Sequence, residues 1–173
     1  MQPSILSDFI IFCYIFDYKS NIFGSFIFFL YLCANFMQFE KDMKNIAFIV
    51  NPISGTKAKN RVAKLIRELL DLQQFAPTVV ATEYAGHATQ LAQQFAMEEY
   101  YAVVAVGGDG TVNEVASGLI GTNTALGIVP NGSGNGFARH LDISTRMNRA
   151  IEMLNSSEVI NVDYGMVNEQ PFF

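Results

Sequence analysis

Four short apolar runs, each halted by a loop and each followed by residues at helical spacing, constrain this chain more than any other feature. They are "NIAFIV" (45–50), "TVVATE" (78–83), "YAVVAV" (101–106) and "ALGIVP" (125–130). A strand with one wet face alternates apolar and polar residues; a strand covered on both faces reads as a nearly continuous apolar run. Between the runs the period changes. Val62, Leu65, Ile66, Leu69 and Leu70 recur at helical spacing, with Arg61, Lys64, Arg67 and Glu68 mostly on the other side. Ala88, Leu91, Ala92 and Phe95 repeat the pattern, as do Val112, Val115, Ala116 and Leu119, and a last helix is expected over 146–155. Pro77 reads as the end of the first helical unit. Strands alternating with helices predict an α/β fold: a parallel sheet flanked by helices, a Rossmann-like nucleotide domain, over residues 43–156. Right-handed crossovers then carry every strand-to-helix loop to one edge, where ligands bind in such sheets. "NPISG", "TEYAGH", "GGDGTVNE" and "NGSGNG" all follow strands and are expected to gather there.

Two of those loops carry unusual chemistry. In "VAVGGDGTVNEVASGL" (104–119) a buried strand stops on Gly107, Gly108, Asp109 and Gly110, with a helix expected from about Thr111. Glycine reaches positive φ at little cost and lets a ligand approach the backbone. A helix starting here adds unpaired N–H groups and the positive end of its dipole, which makes a cradle for phosphate. Asp109 fits such a cradle if it orders the loop by accepting N–H bonds, or if Mg²⁺ lies between it and the phosphates. Thr111 is expected to cap the helix, with Asn113 and Glu114 on its first turn. The second loop holds Gly132, Gly134 and Gly136, with Ser133 and Asn135 as hydrogen-bonding groups. A tight turn with a capping aspartate would explain one glycine pair; it does not explain two glycine-rich loops on one rim. The spacing is not that of the dinucleotide fingerprint, and no Walker lysine follows either loop.

Composition narrows the remaining classes. The net charge is −5 and no lysine or arginine run resembles a nucleic-acid footprint, so a nucleic-acid partner is not expected. The two cysteines, Cys13 and Cys33, precede the α/β pattern, which leaves that pattern without disulfides or a cysteine metal site. His87 and His140 lack a second ligand at metal spacing, which argues against zinc. His87 is read as a cap or surface residue, Arg139 as a helix residue packing on the second loop, and Lys57, Lys59 and Arg61 as a solvated helix face. Residues 1–42 form a hydrophobic extension, uncharged from Ser20 to Phe39. It admits two readings: a membrane span over 20–39, or translation from a start codon upstream of a true start at Met43. It is not a convincing signal peptide. Residues 157–173, "SEVINVDYGMVNEQPFF", read as the start of a second, β-rich unit that is cut short, with two strands around Tyr164-Gly165.

Three motifs in order, "IVNPISG", "GGDGTVNEVASGL" and "LGIVPNGSGNGFARHL", resemble the catalytic domain of the diacylglycerol kinase and sphingosine kinase superfamily, nearest to its bacterial lipid kinases. The resemblance runs from about Met43 to the end of the chain. It implies a nucleotide domain followed by a β-sandwich, and transfer of the γ-phosphate of ATP, with Mg²⁺, to a lipid hydroxyl such as that of diacylglycerol. By motif, Asn51, with Pro52, Ser54 and Gly55, and Thr82 contact the nucleotide. Gly107, Gly108, Asp109, Gly110, Thr111 and Asn113 hold the phosphates and Glu114 braces the loops. Gly132, Ser133, Gly134 and Asn135 complete the site, with Ser133 where threonine is common. No protein metal ligand is assigned. In the bacterial kinases the general base lies in the second domain or after it, beyond Phe173, so this length of chain is expected to be inactive alone. A cytoplasmic protein in peripheral contact with the membrane follows from the lipid acceptor, and a homodimer is possible. The alternatives are an NAD kinase-like enzyme, which shares "GGDGT" but not the second motif, and a non-catalytic truncated nucleotide-binding module.

Overall fold

The computed structural model describes residues 43–52, 56–168 and 170–172. Residues 1–42, with the membrane-span and early-start readings attached to them, lie outside the described residues, as do Ser54 and Gly55. Among the described residues no helix is long and apolar enough to cross a membrane.

The elements run β1 (Lys44–Val50), α1 (Thr56–Leu69), β2 (Phe75–Ala81), α2 (His87–Met97), β3 (Ala102–Gly107), α3 (Asp109–Leu119), β4 (Ala125–Pro130), α4 (Gly136–His140) and α5 (Met147–Leu154). β5 (Gly165–Val167) and β6 (Gln170–Phe172) follow. The first four strands form one parallel sheet in the order β2-β1-β3-β4. This is the expected α/β architecture of a parallel sheet between helices.

The apolar runs are explained by burial on both faces. Successive side chains of a strand point to opposite faces. Ile46, Phe48 and Val50 of β1 join Val104 and Val106 of β3 on one face, under Val62 and Ile66 of α1 and Ala150 and Ile151 of α5. Ala47, Ile49, Val103 and Ala105 form the other face, under Ala88, Ala92 and Phe95 of α2 and Val112 and Val115 of α3. Phe48 is fully buried, which stabilises the fold by about 2–3 kcal/mol. Gly118 of α3 lets α2 approach closely, because a Cβ there would lie 2.6 Å from the Thr89 carbonyl oxygen.

The order places a switch point between β1 and β3. From β1 the chain crosses by α1 to β2 on one side, then returns by α2 to β3 on the other. The crevice at the carboxyl ends of the two strands flanking a switch point is the usual ligand site of an open parallel sheet. Here those ends lead into Asn51 and Gly108.

Three boundaries differ from expectation. Pro77 lies inside β2 rather than ending the preceding unit, and the strand spans Phe75–Ala81 rather than 78–83. β2 is an edge strand, where a missing N–H need not cost a ladder bond. α3 begins at Asp109, not Thr111, so Asn113 and Glu114 lie beyond its first turn. The terminal hairpin turns at Asn168, which has a φ of +48°, rather than at Tyr164-Gly165. Gly165 lies in β5 beneath the Phe172 ring, which fills the space that a Cβ would take. β5 and β6 pair antiparallel in a sheet of their own.

Candidate functional site

The site is a seam between the two glycine loops. β3 ends at Gly107 and α3 starts at Asp109, with Gly108 as an extended N-cap and no side-chain capping bond. The first bond into the helix runs from the Val112 N–H to the Gly108 carbonyl, at 3.1 Å. The first-turn N–H groups therefore have no intrahelical partner and point out of the rim with the positive dipole end. Thr111, placed two residues into the helix, does not cap it. Its hydroxyl instead accepts a 3.1 Å bond from Asn51 Nδ2, which ties the loop after β1 to the loop after β3 across the switch point.

The glycines serve proximity rather than handedness. Glycine can take a positive φ, but among the described residues the positive-φ glycines are Gly86 and Gly121, outside this loop. Gly107 is required because a Cβ there would lie 2.5 Å from Thr111 Oγ1. Gly132 is required because a Cβ would come within 2.6 Å of the Gly108 Cα, backbone against backbone. At this seam the two loops pack main chain against main chain, with no room for a Cβ on Gly132.

Asp109 closes the seam. Its Oδ1 accepts a 2.8 Å bond from the Gly136 N–H, and its Oδ2 occupies the space where a Gly134 Cβ would sit, 2.6 Å away. The Asn131 N–H donates to the Gly107 carbonyl at 2.8 Å, so the loops are joined at entry and at exit. The second loop is also stapled internally. Asn135, buried and left-handed at φ +55°, accepts from the Gly132 N–H at 3.2 Å and donates to the Gly132 carbonyl at 2.8 Å. Both of its amide atoms are thus used within the loop. Ser133 and Gly134 stand exposed on the crest.

Glu114 reaches the neighbouring loop. Its Oε2 accepts from the Gly86 N–H at 3.1 Å, and its carbonyl accepts from Thr89 Oγ1 at 2.9 Å. Asn113 is half-buried on α3, its carbonyl bonded by the Ser117 hydroxyl at 2.7 Å. Thr82 is buried where β2 ends, its N–H donating to the Val50 carbonyl at 3.0 Å. Pro52 is half-buried beside Asn51. Arg139 and His140 lie exposed on α4. His87 Nδ1 accepts from the Glu83 N–H at 3.1 Å, and its ring stacks on Tyr84. Tyr84 carried no signal in the sequence; only the fold shows it pinned at the rim.

The arrangement offers oriented amides to an anion and one carboxylate, Asp109, within the two loops. Among the described residues no group of three or more histidine, cysteine or acidic side chains could hold a metal ion. A divalent cation here would rely on the anion and on water for most of its ligands, as Mg²⁺ commonly does.

The sequence profile of the diacylglycerol kinase catalytic domain matches residues 45–167. The chain belongs to this family. Among curated relatives it is 33% identical over 133 residues to the diacylglycerol kinase of Bacillus subtilis, covering 75% of this chain and 44% of that protein. It is 34% identical over 131 residues to the diacylglycerol kinase of Staphylococcus saprophyticus, covering 75% and 43%. A crystal structure of a diacylglycerol kinase from Bacillus anthracis superposes with a TM-score of 0.64 at 27% identity, covering 75% of this chain and 44% of that one. The chain therefore spans less than half the length of these relatives, within a kinase family.

Proposed function

We propose that this chain carries the nucleotide-binding part of an ATP-dependent lipid kinase, which moves the γ-phosphate of ATP to a hydroxyl of diacylglycerol or a related lipid. The observation that carries the reading is the clasped seam: an uncapped helix N-terminus beside two glycine loops held together by Asp109 and by main-chain contact. Phosphoryl transfer depends on positioning and on neutralising charge. A rigid, amide-rich rim supplies both for a triphosphate. Asn51 and Thr111 would fix the floor of the site, Gly108 to Thr111 would present N–H groups, and Ser133 would face the ligand from the second loop. Mg²⁺, when bound with ATP, would offset phosphate charge beside Asp109. A lipid acceptor implies working at a membrane surface, with the acceptor site and the general base supplied by chain beyond the seam.

Calorimetry of the 173-residue chain with magnesium-ATP tests the first half of this reading. Saturable uptake, weak in the absence of an acceptor site, is expected. Absence of any saturable uptake at millimolar ATP would remove the nucleotide assignment. Incubation with labelled ATP and diacylglycerol vesicles is expected to give no phosphorylated lipid with this chain. Turnover by it would show that the base lies within these residues.

A further inference from the structure

The loop after β2 presents a flat aromatic surface that the phosphate seam does not use. The rings of Tyr84 and His87 stack at 4.4 Å between centroids, with 4° between their planes. Each ring is anchored. The Tyr84 hydroxyl donates to Gln90 Oε1 at 2.8 Å, and His87 Nδ1 accepts from the Glu83 N–H at 3.1 Å. The turn that carries them is fixed in turn, because the Gly86 N–H donates to Glu114 Oε2 on α3 at 3.1 Å. Tyr84 nevertheless remains 54% exposed. With His87 against one face and the hydroxyl tied, the surface left to solvent is the other face of the ring.

An exposed tyrosine held in this way differs from an ordinary surface aromatic. Its ring is already held by one hydrogen bond and a stack, on a turn fixed by two further bonds, so a planar ligand meets a surface that needs little further ordering. The position is also right. β2 lies two strands from β3, so its carboxyl end sits roughly 10 Å along the rim from the Gly107 turn. A ribose and its phosphates can bridge that span. The rigid link through Glu114 keeps the aromatic surface and the amide cradle in one register.

We propose that Tyr84, backed by His87, is the platform on which the base of the nucleotide stacks; this rests on the nucleotide reading above. The amide seam would grip a triphosphate whatever is attached to it. The platform is what would make the site prefer a nucleotide to a bare polyphosphate.

The test uses the full chain and two probes, ATP and inorganic tripolyphosphate, titrated by calorimetry. The wild-type chain is expected to bind ATP about tenfold more tightly than tripolyphosphate, the usual worth of one base–aromatic stack. Tyr84→Ala is expected to remove that preference and leave tripolyphosphate uptake unchanged, while Tyr84→Phe retains most of it. A second readout is spectroscopic. The chain has no tryptophan, so Tyr84→Trp introduces a single reporter whose emission should be quenched by ATP and not by tripolyphosphate. If Tyr84→Ala binds ATP as the wild type does, or if the reporter stays silent as ATP saturates, the platform is overturned and the phosphate seam stands. If the wild-type chain takes up neither probe, the seam and the platform fall together.

Discussion

The two glycine loops look alike in sequence and are built for different tasks. The first, Gly107 to Thr111, runs straight from a buried strand into an 11-residue helix and has no side-chain cap. The second, Asn131 to Gly136, is closed on itself by the two reciprocal bonds between Asn135 and Gly132 and leads into a helix of only five residues. Glycine in the first loop clears space beneath the turn for Thr111; glycine in the second clears space for the first loop itself. One loop leaves its amides available; in the other Asn135 spends its side-chain amide on the loop's own shape, and Ser133 stays exposed on the crest. The difference teaches that a second glycine-rich motif need not be a second grip on the ligand. Here its backbone also buttresses the first loop through the close approach of Gly132 to Gly108, with Asp109 as the bolt between them.

The largest effect is expected at Gly107. It is buried, and a Cβ would fall 2.5 Å from Oγ1 and 2.7 Å from Cβ of Thr111, whose side chain is itself buried and bonded to Asn51. Gly107→Ala has no flexible tip to push aside, so β3 or the start of α3 shifts. A loss of about 1–3 kcal/mol is expected, the range for overpacked sites. It should appear as a fall of several degrees in the thermal midpoint, together with loss of ATP uptake. An unchanged midpoint would mean that the close packing of the first loop is not a constraint, and the contrast between the loops would dissolve.

Asp109 separates a mechanical role from an electrostatic one. Asp109→Ala removes the acceptor for the Gly136 N–H at an exposed position, which should cost about 1 kcal/mol by thermal melting. Asp109→Asn keeps an oxygen that can accept the same bond and discards the charge. If the bolt is the main function, the asparagine variant melts like the wild type and retains uptake of ATP without magnesium. A magnesium-dependent loss of affinity in that variant, with stability intact, would shift the weight to cation binding and sharpen the comparison in the other direction.

Much of this layout was legible in the residues, for reasons that show where legibility ends. Strands covered on both faces write themselves as apolar runs, so β1, β3 and β4 were placed to within a residue. Crossover handedness put the loops on one rim without any coordinates. Pro77 misled because its tolerance depends on β2 being an edge strand, a fact of strand order and not of local sequence. The start of α3 misled because threonine is a good cap in isolation, whereas here its hydroxyl is claimed by Asn51, 60 residues away. The bond from Gly86 to Glu114 is likewise a pairing between elements, and the tyrosine–histidine stack, though local, depends on the turn that this bond fixes. The family motifs name Asn135 as a ligand contact; the fold adds a second task, one bond from each of its amide atoms to Gly132, which no linear pattern shows.

The smallest expected change in stability is at Gly110, and it is the one that best separates the needs of the fold from those of the ligand. A Cβ at this position would meet nothing within 4 Å, and the residue lies exposed in the first turn of α3. Nothing in the packing requires glycine there. Alanine is the better helix former, by up to about 1 kcal/mol in a helix interior and less in a first turn. Gly110→Ala should therefore melt at or slightly above the wild-type temperature, the reverse of Gly107→Ala only three residues earlier in the same loop. If phosphate lies against the amides of this turn, the added methyl stands where the anion must approach, and ATP affinity should drop several-fold in a protein that is no less stable. If affinity is unchanged, the ligand does not come within reach of Gly110. Gly107, Gly132 and Gly134 would then be explained by packing alone, Gly110 would have no role at the ligand, and the anion would have to sit further toward Ser133.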